Sequence, residues 1–178
     1  MIYLILMRIK MIAAIVFFLL MAQPSAARGL PLPDGWAPFT PAAVNTGPNA
    51  KYRSHIPDAG LSAAGDFDGD GKQDIALLAF NADRCQYGVL VSMSAHLSSM
   101  ELIASGPARQ ALGIALRTLA PGRYQAACAK GYGHKKNECP PDTVIETTHD
   151  AIELMAFESA SSIYYMSNGR FRKISISD

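Results

Sequence analysis

The sequence predicts a mainly β fold, an antiparallel meander or a partial propeller-like or sandwich domain, after a cleaved N-terminal signal helix. Three observations predict it. Short apolar or alternating runs recur through the second half of the chain, separated by Gly, Pro, Asn and Asp at intervals too short for long helices. Asn168-Gly169 lies between two such runs and is the strongest hairpin signal in the chain. The apolar run Met11 to Met21 follows Arg8 and Lys10 and precedes Ser25-Ala26-Ala27, the order of an export signal rather than of a core helix.

Residues 1–27 are therefore expected to be removed, with cleavage after Ala27. A membrane anchor would need about 18 or more unbroken apolar residues, and Gln23 and Pro24 close this run early. Met1 to Leu6 is apolar ahead of the charges, which suggests that translation begins at Met7. No cysteine follows the small residues, so a lipoprotein is not indicated. Of 178 residues, 151 would then remain, with 14 Lys plus Arg against 15 Asp plus Glu once Arg8 and Lys10 are gone. A near-neutral chain of this size can bury a core unaided, and it lacks the clustered basic face of a nucleic-acid or anionic-lipid binder. His134-Lys135-Lys136 is too short to supply one.

Residues 28–58 are rich in Pro, Gly, Asn and Ala without a period of two or 3.6, and are expected to form an extended leader pinned by Trp36 and Phe39. Residues 59–178 are expected to form a single β-rich domain. Its strand candidates are Ile75 to Phe80, Tyr87 to Met93, Glu101 to Ala104, Tyr124 to Cys128, Val144 to Thr148, Ile152 to Glu158, Ile163 to Met166 and Arg170 to Ile176. Pro107 to Leu119 should begin as a helical turn, because Pro107 follows Ser105-Gly106, and end as a strand, because Ile114, Leu116 and Thr118 alternate.

Three cysteines lie in the exported part. Cys128 and Cys139 flank a charged, glycine-rich loop that has little apolar surface to order it, so a disulfide between them is expected. Cys85 is left over, as a free thiol or, with a histidine brought near by the fold, as a nucleophile. His55, His96, His134 and His149 occur singly, without metal-ligand spacing. Glu153 and Glu158 could pair with other carboxylates as acid and base, but a solvent-facing strand position accounts for each.

The most informative stretch is Gly65-Asp66-Phe67-Asp68-Gly69-Asp70-Gly71-Lys72-Gln73-Asp74, running into Ile75 to Phe80. Asp66, Asp68, Asp70 and Asp74 repel one another unless something positive lies among them. Calcium takes about six to eight oxygens at roughly 2.3–2.6 Å, and carboxylates at positions one, three, five and nine of a tight loop surround one centre. Gly71 permits the turn and the Lys72 carbonyl would be a backbone ligand. The same aspartates could instead serve as Asx turns bonding the loop's own amides. An EF-hand would need a bidentate carboxylate at position twelve, where Leu77 stands, and flanking helices.

The stretch resembles the calcium loop of FG-GAP and VCBS-type repeats, which occur in β-propellers such as integrin α subunits and in exported bacterial proteins. The resemblance covers about 16 residues, in a single copy, with a faint echo from Asp150 to Phe157 that lacks the aspartate ladder. It implies a loop between two strands, with Asp66, Asp68, Asp70, the Lys72 carbonyl and Asp74 on one calcium ion. Together these readings describe an exported domain, periplasmic or extracellular, with a structural metal and an unidentified protein or glycan partner, no nucleic acid and no membrane span in the mature chain. A hydrolase-like enzyme using Cys85 or a carboxylate pair, and a purely structural domain, are the alternatives.

Overall fold

Nearly every apolar run of the second half becomes a strand in the computed structural model, which describes residues 29–96, 98–131 and 143–177. The export segment, residues 1–27, and Cys139 with its expected bridge to Cys128 lie outside the described residues. The fold is mainly β, in antiparallel sheets that do not close into a barrel. Among the described residues no helix is long and apolar enough to cross a membrane.

The first sheet is a meander of β3 (Asp74–Asn81), β4 (Gln86–Ser92) and β5 (Glu101–Pro107), extended along one edge of β3 by two short strands. β1 (Trp36–Pro38) pairs with the far end of β3, Trp36 opposite Asn81. β2 (Ser62–Gly65) pairs with the near end, Gly65 opposite Asp74. The second sheet has the order β11-β10-β9-β6, from β6 (Ile114–Leu119), β9 (Ala151–Ala156), β10 (Ser161–Ser167) and β11 (Arg170–Ser177). β7 (Gly122–Gln125) and β8 (Val144–Thr147) make a separate pair. Asn168 and Gly169 turn β10 into β11 with φ of 52° and 70°, the two left-handed residues that a tight hairpin requires.

Side-chain alternation then places the core. Ala76, Leu78, Val89 and Val91 of the first sheet share one buried cluster with Leu116, Ile152 and Tyr164 of the second. On the other face of the second sheet Ala151, Ile163 and Ile174 form a smaller cluster with Ala126 and Ile145. The sheets meet where β2 lies along β6. Ser62-Ala63-Ala64-Gly65 is small enough for that approach, and the Thr118 hydroxyl donates to the Ala64 carbonyl at 2.9 Å. Just before β2, a Cβ on Gly60 would fall 2.4 Å from that of Ala115, and its φ of 68° also favours glycine.

Three expectations need correction. The leader is not extended throughout: Thr40 caps a helical turn over Pro41–Val44, and a second turn spans Ala50–Arg53. Each turn buries one residue, Val44 or Arg53, so no periodicity could announce it. Trp36 does rest on Gly88, and Phe39 packs against Phe80. The strands expected to reach Cys128 and Glu158 stop at Gln125 and Ala156, where a 3-10 turn over Ala127–Lys130 and a turn with Glu158 at φ 58° take over. Glu153 is buried rather than solvent-facing, because the β7–β8 pair covers that side of β9; Arg117 Nε donates to it at 2.9 Å.

Burial also gives the fold an alkaline limit. Burial, and then the nearby Tyr87, push the Tyr164 phenol up to about 12. An unfolded tyrosine ionises near about 10, so above that pH the unfolded chain loses its proton first. Stability is therefore fully present below about pH 10 and lost as pH rises towards 12, by on the order of 2 kcal/mol from this group. Urea melts across that window check it, and Tyr164→Phe should flatten the decline.

Candidate metal centre

The aspartate loop joins β2 to β3, so strands rather than helices flank it, and Asp74 is both its last residue and the first of β3. Gly69 and Gly71, at φ 82° and 81°, fold it back on itself. The Asp66 carboxylate accepts from Gly69 N at 2.7 Å and Gly71 N at 3.0 Å, and Asp68 accepts from Asp70 N at 3.1 Å. These Asx-type bonds occupy one lone pair each on the oxygens concerned, and a carboxylate has about four acceptor sites. Turn-making and ion-holding are thus compatible.

Asp66, Asp68 and Asp74 each present an oxygen within 4.8 Å of the others. Two ligands on opposite sides of a calcium ion stand about 4.8 Å apart, twice a bond of roughly 2.4 Å; for magnesium the figure is about 4.2 Å. The group could hold a metal ion, and its spacing lies within the wider limit. Asp70 is placed differently: its carboxylate accepts from Lys72 N at 2.8 Å, Lys72 Nζ at 3.3 Å and the Ser94 hydroxyl at 2.9 Å, and it is outside the trio. The Lys72 amide bond, then Ser94, hold its pKa below the usual carboxylate range.

Asp74 is the buried member, with no solvent exposure. Its two oxygens accept from Phe67 N at 2.8 Å and Ser94 N at 2.7 Å, fastening the loop to the residues just after β4. Burial raises its pKa above the ordinary carboxylate value; the two amides work against that, and Asp68 and Asp70 add to it. A cation among these groups would relieve both causes of the rise.

Two residues that sequence reasoning did not assign to the site complete it. Asp66 N donates to the Asp150 carboxylate at 3.0 Å and Asp150 N donates back to the Asp66 carbonyl at 3.1 Å. A Cβ on Gly69 would lie 2.2 Å from the His149 ring, so that ring covers the loop. The connection from β8 to β9 is therefore docked on the aspartate loop. The one hint in the sequence was the Asp150 to Phe157 echo, an aspartate leading into an apolar strand. Cys85 lies in the turn after β3, at the opposite end of that strand from Asp74, exposed and with its thiol on the Ala82 carbonyl.

No family model matches the chain, and no curated protein or solved structure matches it significantly.

Proposed function

We propose that this chain is an exported calcium-binding β-domain in which the metal is structural, serving as a binding module of the cell envelope or the surrounding medium for a protein or glycan partner. The observation that carries the reading is the convergence of Asp66, Asp68 and Asp74 on one point, with one of the three buried. The Lys72 carbonyl and Asp70, after a change of partner, are further ligands of the proposed site. The resemblance to FG-GAP and VCBS-type loops favours calcium, and the signal-like first 27 residues favour export. An ion there would neutralise the crowded carboxylates and brace the junction between the loop and the β8–β9 connection.

Thermal melts with EDTA, calcium and magnesium test it. Calcium at ten times its dissociation constant adds RT ln 11, about 1.4 kcal/mol, if only the folded loop binds. The melting temperature should rise by several degrees with calcium and hardly move with magnesium, which demands a tighter octahedron and holds its waters. An unchanged melt across millimolar calcium, with no heat on titration, leaves the aspartates as turn-formers and ends the calcium reading.

A further inference from the structure

At the end of the sandwich away from the aspartate loop a cleft of about 470 Å³ opens between the sheets. Its walls come from the start of β4, the 3-10 turn over Ala108–Gly113, the start of β6, the end of β9 and the start of β10. The volume lies in the range of small-molecule sites, about 300–1,000 Å³. Leu112, Ile114, Leu154 and Ala156 give it apolar walls, and Leu112 is 40% exposed among the described residues.

Three polar features narrow the ligand. Arg109 is the one charged side chain among the described residues lining the cleft; it is exposed and forms no ion pair with any of them. Tyr87 lines the interior at 7% exposure, and its hydroxyl has no hydrogen-bond partner among the described residues. Behind the wall lies the Arg53 guanidinium, fully buried, which donates to the carbonyls of Ala59 and Ala111, each at 2.7 Å, and to that of Ile114. Its partners are neutral carbonyls. The carboxylate nearest in sequence, Asp58, accepts from the Ser62 hydroxyl at 2.7 Å, and Glu158 accepts from the Tyr52 hydroxyl. The wall from Ala111 to Ile114 therefore separates the cleft from an uncompensated buried cation.

We propose that this cleft binds a small amphipathic carboxylic acid, with its apolar body against Leu112, Ile114, Leu154 and Ala156, its carboxylate on Arg109, and the Tyr87 hydroxyl free to donate to a polar atom of the body. A carboxylate suits the site better than a phosphate: one guanidinium fork matches one carboxylate edge, whereas a dianion would remain half neutralised beside apolar walls. A neutral ligand of the same shape would fill the walls but leave Arg109 and the field of Arg53 unanswered. This proposal is independent of the metal, which concerns the other end of the fold.

The test uses decanoate and decan-1-ol as probes on the uniformly 15N-labelled chain, followed by amide chemical shifts. Decanoate should give saturable shifts at Leu112, Gly113, Leu154 and Ala156, and decan-1-ol should bind at the same place more weakly. Arg109→Gln, at an exposed position whose loss should leave the melt unchanged, should weaken decanoate about tenfold and leave decan-1-ol as it was. Absence of saturable shifts, shifts centred instead on the exposed Leu102 surface, or decanoate binding equally to wild type and Arg109→Gln would each overturn the proposal.

Discussion

Asp74→Ala, measured in EDTA so that no metal contributes, should lower the unfolding free energy by about 2–5 kcal/mol, since each buried amide left unpaired costs about 1–3 kcal/mol. The two amides are those of Phe67, whose own ring is fully buried, and Ser94. For a chain of this size the melting temperature should fall by roughly 10 °C. Asp68→Ala provides the contrast. It removes only an exposed bond to Asp70 N, so in EDTA it should cost less than about 1 kcal/mol, yet it should abolish the gain from calcium. Urea melts of both variants with and without calcium separate a turn-forming role from a metal-holding one. Equal stability of Asp74→Ala and wild type in EDTA would mean that the two amide bonds do not hold the loop.

Arg53→Met should cost about 3–5 kcal/mol, although methionine keeps much of the apolar volume. The arginine is fully buried and its guanidinium satisfies the carbonyls of Ala59, Ala111 and Ile114, drawn from two separate stretches of chain. Removing it strands all three acceptors at once. Burial lowers its pKa, but a guanidinium remains charged in a protein, so the donor set is permanent. The Arg53 side chain also lies over the Phe157 ring at 5.3 Å, a contact that methionine would only partly replace. Arg53→Lys should fall between, because a single ammonium cannot span three carbonyls with a planar fork. A cost for Arg53→Met below about 1 kcal/mol would show that water takes over the three carbonyls.

The sequence revealed the strands whose own side chains decide them. β3, β4 and β11 alternate or run apolar, and Asn168-Gly169 fixes its turn by backbone preference alone. It did not reveal β2, since Ser62-Ala63-Ala64-Gly65 has no β-branched or aromatic residue; pairing with β3 and close approach to β6 make it a strand. Nor could it show that Arg53 is a core residue, because an arginine is buried only when distant carbonyls converge on it. At the loop, spacing was enough to bring Asp66, Asp68 and Asp74 together. It could not foresee that Asp70 would turn to Ser94, or that His149 and Asp150 would close over the loop, because those partners come from other strands' ends.

The reciprocal bonds between Asp66 and Asp150 join positions 84 residues apart. Contacts of such separation close a long loop at high entropic cost and are expected to form late, after the transition state has buried most of the core. An interaction absent from the transition state leaves the folding rate alone and appears almost wholly in the unfolding rate. Whatever tightens this junction would thus lengthen the lifetime of the native chain without hastening its formation, and where a protease cuts the opened chain faster than it recloses, that lifetime sets survival.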